Sequence, residues 1–171
     1  MTPTKRMTYL ATALVRQRLF STRMLIMLPI LLLFIPGMAW GFADPNLQLP
    51  ADQIPENATE TMFLASIGIV FAGTMAAVLI AHDGISRDRS TGVLEVRLSQ
   101  PMARWRQGVV LVLGHWGSIA IPVAILLIAS MILVGYRSDM WISTADAVVF
   151  IVSALLVLLW YTVFALLASS I

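Results

Sequence analysis

QGVVLVLGHWGSIAIPVAILLIASMILVGY, from Gln107 to Tyr136, carries no charge when His115 is taken as neutral. A hydrocarbon layer about 30 Å thick is crossed by about 20 apolar residues in a helix, so this stretch exceeds the length needed. Working outward, three further charge-free runs appear: Met24–Ala43 between Arg23 and Asp44, Thr61–His82 between Glu60 and Asp83, and Ala147–Ile171. Each also reaches that length. Inside lipid the backbone has no water to bond, so such a run must satisfy itself as a helix. A β-barrel needs alternating apolar and polar residues, and none of the four runs alternates. The expected fold class is all-α: a polytopic transmembrane helix bundle forming one domain, 1–171. Its spans fall at about 24–43, 61–82, 108–135 and 147–171.

Composition gives the same answer. Of 171 residues, 59% are hydrophobic and 12% charged, against about half and a quarter in a soluble domain. A soluble core of this size has no room for the surplus. With no cysteine, disulfides and thiolate metal sites are excluded. The net charge of +2 does not indicate nucleic acid, because the basic residues flank apolar spans and form no soluble basic face. The first run follows basic residues as a signal peptide does. It is longer than a signal core, contains Pro29 and Pro36 and precedes further spans, which favours a retained anchor.

Charge also orients the chain. Lys5, Arg6, Arg16, Arg18 and Arg23 precede the first span, and Arg87, Arg89, Arg97, Arg104 and Arg106 lie between the second and third. The other side holds Arg137 with Asp44, Asp52, Glu56, Glu60, Asp139 and Asp146. The positive-inside rule then places the N-terminus and the loop 83–107 in the cytoplasm, with a cell-membrane location expected. Trp40, Trp105 and Trp141 fall at span ends, where an amphipathic ring is favoured. Trp116 and Trp160 sit deeper, and the sequence offers no account of them.

Four features flank or punctuate the spans. Residues 4–22 place Met7, Leu10, Leu14, Val15 and Leu19 apart from Lys5, Arg16 and Arg18, as in an amphipathic helix at the membrane surface; a flank that only sets orientation fits equally. Asp44–Glu60, with Pro45, Pro50 and Pro55, reads as an acidic loop, irregular or in short helical pieces. Its Asn57-Ala58-Thr59 is a chance-level glycosylation match. Small residues four apart (Gly68 and Ala72, Gly73 and Ala77, Gly114 and Ser118) permit close helix approach, within the chain or against a second subunit. Pro29, Pro36 and Pro122 are candidate kinks.

The loop Asp83–Pro101, DGISRDRSTGVLEVRLSQP, mixes opposite charges with apolar residues. Leu94 and Leu98 suit one helix face, while Val96 between them also permits a strand. Pro101 ends any helix near Gln100. Such a surface can dock a soluble partner, though charge pattern alone favours a solvated turn linking two spans.

The loop resembles the cytoplasmic loop of ABC-2 type transporter permeases. The matching elements are Asp83, Arg87-Asp88-Arg89, Gly92-Val93-Leu94-Glu95, Leu98-Ser99-Gln100-Pro101 and Arg104, set between the second and third spans. Asp88 stands where that family commonly has Glu, and Val93 where Thr is frequent. The family usually has six spans, so the resemblance implies that this chain is the N-terminal part of a six-span permease; the lack of a polar tail after the fourth run points the same way. The resemblance further implies contact between Asp83, Arg87, Asp88, Arg89, Gly92, Leu94, Glu95, Leu98 and Pro101 and a separate ATP-binding cassette ATPase subunit. A second permease subunit, as homo- or heterodimer, is implied too, and export is the family's commoner direction. A non-transporting membrane scaffold or assembly factor is the alternative.

Independent chemistry finds no footing. A P-loop needs Gly-rich sequence ending in Lys, and Lys5 is the sole lysine. ATP hydrolysis is therefore expected from a partner subunit, with no catalytic residue or cofactor here. His82 and His115 near Asp83 are too few for a metal site and read as histidines with local hydrogen bonds. The ten methionines are scattered and read as adaptable packing. No acidic residue lies inside a span, which argues against proton or ion coupling. Ser118 near His115 is a weak case for an intramembrane enzyme.

Overall fold

The computed structural model describes residues 3–47, 50, 54–82, 84–93 and 103–171. Among them the chain is helical without a strand. α1 is Pro3–Leu19, α2 Thr22–Phe42, α3 Ala58–Gly68, α4 Thr74–Ala81, α5 Gly84–Ser90, α6 Arg104–Ser138 and α7 Thr144–Ala168. A π-helical turn, Ile69–Gly73, joins α3 to α4 without a break. Four helical segments are long and apolar enough to cross a membrane: α2, α3 through α5, α6, and α7 with its last turn. They correspond to the four runs of the sequence.

Local chemistry sets the starts. Ser21 caps α2 by accepting the Met24 N–H, and Ser143 caps α7 by accepting that of Asp146. Asn57 accepts the Glu60 N–H at 2.9 Å while its own amide donates to Glu60 Oε1 at 2.9 Å. Glu60 in turn accepts the Glu56 N–H at 2.7 Å, closing a reciprocal cap that starts α3 before the apolar run does. That use of Asn57 accounts for it structurally. α6 spans 35 residues, or about 52 Å at 1.5 Å per residue, so it projects beyond a bilayer core at one end or both. Pro29 and Pro36 lie inside α2 and Pro122 inside α6, and neither helix ends there.

Each span gives one stripe to the interior. Met24, Met27, Leu31, Ile35 and Ala39 of α2 are buried at steps of three and four, as one helix face requires. They meet Met62, Ala65, Ala72, Ala76 and Ile80 of the second span, Ile119, Val123, Leu127 and Val134 of α6, and Leu158 of α7. The outward stripes remain apolar: Leu25, Leu32 and Leu33 on α2, Ile121, Ile125 and Ile128 on α6, and Val149, Val152 and Trp160 on α7 are exposed. Apolar inside and out is the pattern of a bundle solvated by lipid.

The small residues pack within the chain. A Cβ at Gly68 would stand 2.2 Å from the Phe34 carbonyl oxygen, so the first two spans approach backbone to backbone. Ala72 and Ala77 are fully buried, and Gly73 lies under Leu158. Gly114 and Gly117 receive Leu14 and Val15 of α1, their would-be Cβ atoms 2.7 and 2.9 Å from those side chains. The apolar face of α1 is thereby directed against α6, leaving Lys5, Thr8, Thr12, Arg16 and Gln17 outward. Leu14 and Val15 of that face pack against α6.

Candidate functional site

The spans alternate in direction, so the bundle has two chemically different ends. At one end lie the α1–α2 junction, the end of α4, α5, the start of α6 and the end of α7. Arg23 Nη1 donates to the Leu79 carbonyl at 3.2 Å, joining the start of the first span to the end of the second. At the other end Arg137 meets Asp44 at 2.6 Å and stacks its guanidinium over Trp40, 4.0 Å from the ring centroid. Thr59 Oγ1 there donates to Asp146 Oδ2 at 3.1 Å. Asp44 lies outside the spans, and its carboxyl is held below the usual range: first by the Asn46 N–H bond, then by the Arg137 bond.

All described basic residues except Arg137 belong to the first end. So does the described part of the 83–107 loop. Asp83, Leu94, Glu95, Leu98 and Pro101 of the sequence-derived contact set lie outside the described residues. Arg87 is in α5, and only its backbone is described. Asp88 is buried, 8% exposed, and so turns toward its own chain. Arg89 is exposed at its surface and donates to the Ser170 carbonyl at 3.2 Å. Gly92 has φ +72°, and its N–H bonds the Arg89 carbonyl at 3.2 Å. That left-handed residue just past α5 is a helix stop that glycine adopts without a Cβ penalty.

The start of α5 is seated on the bundle. Ser169 Oγ accepts the N–H groups of Ile85 and Ser86 at 3.0 and 3.1 Å. A helix's first N–H groups have no partner within it; here the end of the fourth span supplies one. A Cβ at Gly84 would stand 2.8 Å from His115 Nε2 and 3.0 Å from Leu166 Cδ2, so the loop enters against both α6 and α7. Ala81, Ala165 and Leu166, with Ile85 and Val112, form a small apolar cluster beneath it.

The histidines separate. His82 is exposed and donates Nδ1 to the Leu79 carbonyl at 3.0 Å. His115 is fully buried and donates Nδ1 to the Leu111 carbonyl at 2.8 Å. Ser118 Oγ donates to the His115 backbone carbonyl at 2.7 Å, which directs its hydroxyl proton to the backbone. Among the described residues no group of three or more His, Asp or Glu is placed to hold a metal. Trp116, opaque in the sequence, donates its indole N–H to the Leu155 carbonyl at 3.0 Å and ties α6 to α7. Trp160 is exposed and stacks on Phe164.

Sequence reasoning missed the seat of the loop helix. Ser169 and Ser170 sit at the far end of the chain, and a terminal Ser-Ser pair carries no signal of contact with residues more than 80 positions earlier. Chemically the arrangement offers mechanical connection: a charged, short helix held to the ends of two spans, without a metal cluster among the described residues.

A family model described as ABC-2 family transporter protein matches residues 11–171. No curated protein matches the chain, and no solved structure does.

Proposed function

As the chain belongs to the ABC-2 transporter protein family and is a multi-pass membrane permease, we propose that it couples through its 83–107 loop to a separate ATP-binding cassette ATPase. The observation that carries this reading is the seating of α5 on the ends of α6 and α7. A loop helix held in this way passes a push on to the spans, where a free turn would absorb it. Arg87 to Pro101 is the contact segment, with Arg89 at its exposed face. Ten of the eleven basic residues (Arg137 is the exception) lie on this side of the membrane, which assigns it and the N-terminus to the cytoplasm of a cell membrane. A second permease subunit completes the pathway, and the working direction is export. The chain supplies no ATP-hydrolysing residue itself.

Two measurements test this. Cysteine at Ser90 should react with an impermeant thiol reagent only after cells are permeabilised, and cysteine at Asp139 in intact cells. Arg87→Glu should insert normally yet abolish ATP hydrolysis by the partner in membrane vesicles. If every charge swap in the loop is tolerated, the non-transporting scaffold becomes the better account.

A further inference from the structure

Coupling loops are most simply pictured as moving the two spans they connect. Here the loop helix is bound to a span it does not connect. Its first two amides converge on Ser169 Oγ, and the Ser86 and Ser169 hydroxyl oxygens are 3.4 Å apart. Arg89 bonds the next residue's carbonyl, Ser170. Leu166, one turn back along α7, closes on Gly84, and Ile85 packs with Ala165 and Leu166. These contacts come from both polar and apolar groups and span a full turn of each helix.

We propose that Ser169, with Arg89, is a positioning residue that clamps α5 to the last turn of α7, so that the loop helix and the fourth span move as one unit. The proposal rests on the coupling reading above. It adds that the fourth span is driven directly through its own contact with α5, alongside the two spans that the loop connects. Ser169 is suited to the role because one hydroxyl oxygen can accept two N–H groups. Alanine removes the acceptor that both amides share at this partly buried junction.

The test uses the permease co-purified with its ATPase and reconstituted in lipid. Leu167→Cys, exposed on α7, reports the fourth span through its maleimide labelling rate, with and without ATP plus vanadate; the chain has no other cysteine. The nucleotide-dependent difference should fall by at least about fivefold in Ser169→Ala, the scale of losing one or two ordinary hydrogen bonds. It should be retained in Ser169→Thr, which keeps the hydroxyl. Separately, a Ser86→Cys/Ser169→Cys pair oxidised to a disulfide should hydrolyse ATP at least as fast as its reduced form, because the crosslink replaces the clamp that the lost Ser169 hydroxyl supplied. An undiminished labelling difference in Ser169→Ala, or hydrolysis stopped by oxidation and restored by reductant, overturns the proposal. If no ATPase co-purifies, or Leu167→Cys does not respond to nucleotide while hydrolysis proceeds, the first result sinks the coupling reading itself and the second sinks only the driven fourth span.

Discussion

Gly68→Ala adds one methyl group where the first and second spans touch. The new Cβ would stand 2.2 Å from the Phe34 carbonyl oxygen and 2.9 Å from its carbon. A carbon and a carbonyl oxygen normally approach no closer than about 3.3 Å, so α2 and α3 must separate by roughly 1 Å. Both atoms belong to helical backbone, and no side-chain rotation relieves the clash. Overpacking a fitted interior costs about 1–3 kcal/mol, and this case belongs at the upper end. Replacing glycine within a helix returns about 1 kcal/mol through propensity. The net expectation is destabilisation by about 1–2 kcal/mol. Gly37→Ala is the matched control: it lies in α2 with nothing within 4 Å of the added atom, so only the propensity gain applies. The assay is reversible unfolding in mixed micelles at rising dodecyl sulfate fraction, followed by helical circular dichroism. Equal stability of the two variants would refute the backbone-contact argument.

Other outcomes follow from single contacts. Trp116→Phe should lower stability by about 1 kcal/mol through loss of the bond to Leu155, whereas Trp160→Phe should leave the same unfolding midpoint unchanged. Gly84→Ala should insert normally and reduce ATP-driven activity by about tenfold, the equivalent of 1–2 kcal/mol of misfit against His115 and Leu166. Asp44 has a folded-state value below its ordinary 3.8. Its pair with Arg137 therefore contributes fully above the unfolded value and is lost as pH falls through the lower folded one. In a chain retaining only Trp40, emission should stay flat from neutral pH to below 4 and then change; Asp44→Asn should abolish that acid step.

The spans were legible because lipid imposes a blunt demand, about 20 residues without charge, and Gln107–Tyr136 meets it on inspection. Their ends were less so. α6 begins at Arg104, ahead of the expected 108, because backbone hydrogen bonding continues past the lipid-length window through Trp105 and Arg106. α3 begins at Ala58 because the Asn57–Glu60 cap nucleates it upstream of Thr61. The π-helical turn at Ile69–Gly73 leaves no mark on hydropathy. Charge counting separated the two ends of the bundle but did not pair Arg137 with Asp44, 93 residues apart. The loop residues Arg87 to Gly92 were singled out by resemblance, and the helix stop at Gly92 came from the structure. The seat on Ser169 was not, since it depends on how the fourth span returns beside the second.

On the proposed function, a separate ATPase drives this permease through the 83–107 loop. The most direct measurement is purification of the intact chain from native membranes in mild detergent, with identification of every accompanying polypeptide. A P-loop ATPase should accompany the wild-type chain and be lost when Arg87–Pro101 is scrambled in a protein that still inserts. An intact, well-extracted complex without such an ATPase, or one that keeps it after scrambling, would contradict the account.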